Sequence, residues 1–282
     1  MKRVEEIFFR TLMYGAVLVI TGLLFLIIYS IISKGASSLS WEMVSQTPRG
    51  GYYFGKEGGI LNAIIGSLYL SAGATALAFF ISLPVALGMN IYLAKYRRMV
   101  NGLRFILDLL WGVPSIVYGA FAFSIMIMVG ARASLMAGII TVGVFIVPIM
   151  IRAMDEVFKT VPRGLTESAL SLGATFTETS FGVLVRQCAP GVVTALLLGF
   201  GRGIGDAAAV LFTTGYTDYI PGSLSQPAAT LPLAIFFQLG SPIEEVRERA
   251  FAAALLLTLI ILLISVITRI LSNRFNKNRI NF

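Results

Sequence analysis

The chain has 282 residues, 57% hydrophobic and only 13% charged, with a mean hydropathy of +0.85. One soluble core cannot hide that much apolar surface, so lipid must act as part of the solvent and the chain belongs in a bilayer. The net charge of +8 does not point to nucleic acid, because the basic residues form short clusters between apolar stretches, where they act as topology signals toward an anionic leaflet. With no histidine and the single cysteine Cys188, neither an intrachain disulfide nor a zinc or redox centre is expected, and no cofactor bound by this chain.

Windows of about 20 apolar residues predict six membrane-spanning helices, near 11–33, 61–94, 103–129, 135–153, 190–214 and 250–271. The fold class is therefore all-α and polytopic. Lys2, Arg3 and Arg10 ahead of a long apolar run imitate a signal peptide, but the run is too long and lacks a small-residue cleavage site before Trp41, so it predicts a retained helix. Residues 1–60 thus form a first helix and an external loop, 61–272 the main transmembrane domain, and 273–282 a basic cytoplasmic tail. Placing both termini in the cytoplasm leaves only Lys34, Arg49, Lys56, Arg132, Arg247 and Arg249 outside, as the positive-inside rule demands.

The outer segment 34–60 is rich in turn residues and carries Trp41, Tyr52 and Tyr53 as interfacial anchors. The second span is too long to cross once, since about 34 residues at 1.5 Å each exceed a core of about 30 Å; Pro84 is the expected break. Gly112-Val113-Pro114-Ser115 predicts a similar kink in the third span. An architectural role is expected for both prolines, ahead of a substrate contact. The last outer segment, 215–249, contains Leu231-Pro232-Leu233, an apolar piece too short to span and expected to lie at the interface or dip in.

Segment 154–189 is the longest cytoplasmic connection. Pro162 suits a first helical turn, strong helix formers follow, and Gly173 is a C-terminal stop. Over about 162–173, Leu165, Ala169 and Leu172 fall at spacings of four and three and form an apolar stripe, with Glu167 on another face. A helix lying on the bilayer is the plain alternative, although such helices are usually richer in Lys and Arg.

In the fifth span, Arg202 and Asp206 are expected one turn apart on one face, about 18 Å beyond Pro190. Intramembrane charges cost at least about 2.5 kcal/mol each and normally face protein or a water-filled cavity. Gly199 and Gly203 form one small-residue stripe and Gly201 and Gly205 another, which predicts close packing of two neighbouring helices. The charged pair is either an i,i+4 salt bridge or a contact for an anion. Guanidinium suits phosphate oxygens, and Asp206 could accept a hydrogen bond from a protonated phosphate, which sulfate cannot offer.

Glu167-Ser168-Ala169, three residues, then Gly173 resembles the EAA signature of ABC importer permeases, the type I or MetI-like architecture. That resemblance implies that the helix around Pro162, Leu165, Glu167, Ala169, Leu172 and Gly173 docks on an ATP-hydrolysing subunit. Here Ser168 replaces the second alanine, and Val185-Arg186 stands where the family usually has Leu-Pro. Gly58-Gly59-Ile60 through Leu70, Gly112 to Gly119, Gly203 to Ala208 and Gln226-Pro227-Ala228 with Leu231-Pro232-Leu233 are similar to the PstA-type phosphate permeases, which more often have Glu at the position of Asp206. The resemblance implies a prokaryotic inner-membrane importer of inorganic phosphate with a PstC-type permease partner, two nucleotide-binding ATPase subunits holding ATP-Mg, and an external phosphate-binding protein. The absence of a Gly-x-x-x-x-Gly-Lys-[Ser/Thr] loop from the sequence agrees that the ATPase is another chain. Sulfate or molybdate transport is the nearest alternative; a passive channel or a membrane scaffold needs no docking helix.

Overall fold

The computed structural model describes residues 2–49 and 57–276. Hydrocarbon offers no hydrogen bonds to the backbone, so a chain in a bilayer satisfies its amides within helices. The helices are α1 (Lys2–Gly35), α2 (Trp41–Ser45), α3 (Leu61–Leu87), α4 (Arg97–Gly112), α5 (Ser115–Met128), α6 (Leu135–Lys159), α7 (Arg163–Ser171), α8 (Phe176–Glu178), α9 (Arg186–Ile204), α10 (Leu231–Leu239) and α11 (Glu244–Asn276). Strands β1 (Pro48–Arg49) and β2 (Glu57–Gly58) pair antiparallel. Among the described residues five helical stretches are long and apolar enough to cross a membrane: 5–35, 61–92, 135–159, 176–204 and 244–270; α4 and α5 make a sixth only if the bent pair counts as one.

The centre of the bundle is the α3–α6 pair, with α9 packed across both and α11 behind α9. Leu70, Ala74 and Ala78 of α3 share one buried cluster with Val142, Ile146 and Met150 of α6. Between apolar helices in lipid, close van der Waals contact replaces the hydrophobic drive, so small residues mark the seams. Gly73 lies against Ile139, and Gly143 against Leu77. Helix α1 is exposed along its length and joins the bundle at its C-terminal end, where a side chain on Gly35 would meet the backbone of Phe251.

Several boundaries differ from those expected. Pro84 does not break the second span: α3 passes through it and ends in a π-helical segment, Gly88–Tyr92. One missing donor removes a single hydrogen bond, which a well-packed helix tolerates. The third span is not a kinked crossing, because α4 and α5 meet at 92° around Val113 and Pro114. Before a proline the α conformation is disfavoured, and Val113 is extended. Helix α6 continues to Lys159, and a continuous helix begins at Phe176 with a π-helical stretch, Thr179–Val185, so the connection expected at 154–189 shrinks to about 160–175. Residues 231–239 form a short helix packed into the bundle: Leu231, Leu233 and Ala234 are buried in α10 beside α3 and α11. Trp41 is exposed as expected of an anchor, whereas Tyr52 and Tyr53, and the end of the basic tail, lie outside the described residues.

Candidate functional site

Helix α9 stops at Ile204, so Arg202 occupies its last turn and Asp206 lies beyond it. This corrects the expected span 190–214: the helical stretch runs from Phe176 to Ile204. A chain containing Gly199, Gly201, Gly203 and Gly205 loses helix propensity over its final turns, and the Asp206 carboxylate offers a competing local structure. Its Oδ1 accepts a hydrogen bond from the Ala209 N–H at 2.8 Å, which turns the chain into segment 206–214.

Asp206 is consequently buried, with 4% of its side chain exposed, while the Arg202 side chain remains 52% exposed. Their nearest approach is 3.8 Å from Nη2 to Oδ2, beyond hydrogen-bond distance. The guanidinium lies over the Phe145 ring at 5.0 Å, a cation–π arrangement. Arg202 also complements the negative C-terminal end of α9. The pair is therefore neither a tight salt bridge nor two independent charges: Asp206 is engaged in the turn, and the guanidinium fork stays open.

The two glycine stripes have different fates. Gly199 lies against Met150 and Ile146, and Gly203 against Ile146, with Val142 and Ser71 behind; this stripe is a helix seam. The other is not, since nothing lies within contact of a side chain at Gly201, and Gly205 makes ordinary contact only. Segment 206–214 replaces it as the packed surface: Gly119 of α5 lies against the carbonyls of Ala208 and Ala209.

At the other end of α6, Pro162 stands before α7 and Gly173 follows it with φ of +90°, the left-handed stop that glycine adopts without steric penalty. The Gly173 N–H donates to Leu170 O and the Ala174 N–H to Ala169 O, closing the helix end. Leu165 packs against the main core and Ala169 is half-buried, but Leu172 is 89% exposed. The expected single apolar stripe is thus divided, because Leu172 has left the helix and points outward with Glu167, which is also exposed.

A group that sequence reasoning missed ties this end together. Asp155 is fully buried in α6, and its carboxylate accepts from Arg104 Nε and Nη2, Arg152 Nη1, Lys159 Nζ and Asn90 Nδ2, at 2.9 to 3.0 Å. Arg152 reaches Asp108 at 2.6 Å as well. Helices α4 and α6 and the π-helical end of α3 therefore meet on one carboxylate. The spacing Arg152, Asp155, Glu156, Lys159 is one helical face and could have revealed it, had the span not been ended at 153. Tyr92 adds a contact from the same π segment, with its hydroxyl 3.0 Å from Thr177 Oγ1 and its ring 5.5 Å from that of Phe176. Among the described residues no group of three or more Cys, Asp or Glu is arranged to hold a metal ion.

The long apolar helices are those of an integral membrane protein, and the comparison with known families says of which class. The chain belongs to the family of binding-protein-dependent transport system inner membrane components, matched over residues 81–278, and within it to the PstA-type permeases. It is 32% identical over 247 residues to the phosphate transport system permease protein PstA of Pasteurella multocida, covering 86% of each chain. The PstA of Haemophilus influenzae is 31% identical over 258 residues, 89% of each chain. Among solved structures, the inward-facing MetNI methionine ABC transporter aligns with a TM-score of 0.59 at 19% identity, over 77% of this chain and 95% of that one. A bacterial alginate ABC transporter aligns with a TM-score of 0.62 at 15% identity, over 96% and 97%. The fold is that of a MetI-like type I ABC importer permease.

Proposed function

We propose that this chain forms part of the membrane path for inorganic phosphate import, powered by ATP hydrolysis on separate subunits. The half-exposed Arg202 guanidinium carries the reading, because Asp206 is hydrogen-bonded into the 206–214 turn and leaves the fork open to an anion. A single exposed cation gives a transient contact, as suits an importer that must release its cargo. The similarity to PstA proteins over most of the chain supports phosphate as the solute.

In this reading the α7 end is cytoplasmic, both termini lie on that side of a prokaryotic inner membrane, and exposed Glu167 and Leu172 meet the ATPase. The partners are a PstC-type permease, two nucleotide-binding subunits carrying ATP-Mg and an external phosphate-binding protein, with no cofactor on this chain. Phosphate uptake by membranes containing Arg202→Met tests the proposal. An assembled variant that takes up phosphate normally sinks the assignment of Arg202; a wild-type chain that moves sulfate or molybdate but not phosphate replaces the solute.

A further inference from the structure

The register of α9 on α6 places an aromatic ring beneath the open guanidinium. Gly203 lies against Ile146 in the seam between the two helices, so the residues just before them, Arg202 and Phe145, also come together. The Arg202 Cζ sits over the Phe145 ring, 5.0 Å from its centroid, and the ring itself is buried in the main core. Behind it, Tyr118 of α5 makes a T-shaped contact at 5.4 Å between centroids. The Tyr118 hydroxyl donates to the Leu110 carbonyl of α4 at 3.0 Å, which fixes that second ring. The next residue of α5, Gly119, lies against the carbonyls of Ala208 and Ala209, in the turn whose Ala209 N–H engages Asp206. Adjacent residues of α5 thus back both the ring beneath Arg202 and the turn that holds Asp206.

Two attractions act on the guanidinium. Asp206 is the opposite charge one turn on, and only 3.8 Å separates Nη2 from Oδ2. A small rotation of the arginine side chain would close that gap, and the attraction grows where water is scarce. A closed, hydrogen-bonded pair would occupy the donors that an anion needs. The Phe145 ring draws the cation the other way through its negative face. It takes no N–H bond, so the in-plane donors stay free. Packing on α9 does not by itself call for an aromatic ring here, since the seam residues Val142, Ile146 and Met150 are aliphatic. We infer that Phe145 is a positioning residue of the anion path, whose ring holds Arg202 away from Asp206 and keeps the guanidinium fork open. The inference rests on the reading that Arg202 contacts phosphate in transit.

Uptake of 32P-labelled phosphate is measured in cells carrying the assembled importer, per chain inserted, with mono-, di- and trifluorinated phenylalanine in place of Phe145. Fluorine drains the negative face of the ring and nearly preserves its shape, so packing is held constant while the attraction for guanidinium falls step by step. The expected result is a stepwise loss, reaching about fivefold with the trifluorinated ring, and recovery to within about twofold when Asp206→Asn is added, because the competing carboxylate is gone. Phe145→Leu should show the same loss and the same recovery. A flat fluorine series in an importer that Arg202→Met inactivates overturns this inference and leaves the transport reading standing. A loss that Asp206→Asn does not relieve overturns it too, since the ring then acts on something other than the gap between the two charges. Normal uptake by Arg202→Met sinks the transport reading itself, and the inference with it.

Discussion

Arg104 grips Asp155 with two parallel hydrogen bonds, Nε to Oδ2 at 2.9 Å and Nη2 to Oδ1 at 3.0 Å, and so fastens the first half of α4 to the last turns of α6. The forked geometry matches guanidinium to carboxylate on both oxygens. The carboxylate is fully buried and serves three cations; its removal leaves Arg104 without a carboxylate, while Arg152 keeps Asp108 and Lys159 keeps Glu156.

Asp155→Ala is expected to destabilise the chain by about 1–3 kcal/mol, the cost of leaving part-buried donors without their acceptor. Asp155→Asn keeps acceptor and volume and is expected to cost less. The midpoint of thermal aggregation in detergent reads both; an unchanged midpoint for Asp155→Ala would show that the cluster is not holding the α7 end together.

Arg202 and Asp206 separate by role rather than acting as a pair. Arg202→Met should assemble at wild-type levels yet lose most phosphate uptake, since no apolar group compensates an anion in a passage of low dielectric. Asp206→Asn should keep both, because the amide oxygen still accepts from the Ala209 N–H. Removing both charges with Arg202→Met and Asp206→Leu does not rebuild a helical span here, as the turn loses its acceptor; restored uptake in that double variant would contradict the geometry.

Glu167→Lys reverses charge on an exposed face and should leave the protein inserted while uncoupling uptake from ATP hydrolysis. Gly173→Asp acts differently. Space is open around Gly173, but φ of +90° strains any side chain by roughly 1–2 kcal/mol, so the helix end should fray. Normal substrate-stimulated ATPase activity in both variants would remove α7 from the coupling role.

The glycine seam gives an internal control. Gly199→Ala must displace Met150 and should lower stability, whereas Gly201→Ala meets nothing and should raise it by about 1 kcal/mol through helix propensity. Thermal melts of the two purified variants check the order; the reverse order would refute the packing of α9 on α6.

Orientation is read with single cysteines, since native Cys188 is buried. A cysteine at Gly222 should react with an impermeant reagent added outside intact cells, and one at Gly173 should not. The opposite pattern would invert the topology.

Hydropathy alone settled that this chain is a helical membrane protein, because a 20-residue apolar run in lipid has few other ways to satisfy its backbone. Local chemistry settled α7 as well: Pro162 and Gly173 mark its ends by their own backbone preferences, and no distant contact is needed. The passage of α3 through Pro84 was decided by tertiary packing, and at Pro114 and Ile204 the local signals, an extended Val113 before its proline and the Asp206 acceptor for the Ala209 amide, were equally open to a kinked or a straight span. In each case the same proline or glycine signal permits a kink, a stop or nothing at all, and the neighbours choose. The same holds for the charges. Arg202 and Asp206 have i,i+4 spacing, yet the turn at Ala209 claims the carboxylate; Asn90, Arg104 and Asp155 are far apart in sequence, and only the packing of α3, α4 and α6 brings them onto one buried carboxylate.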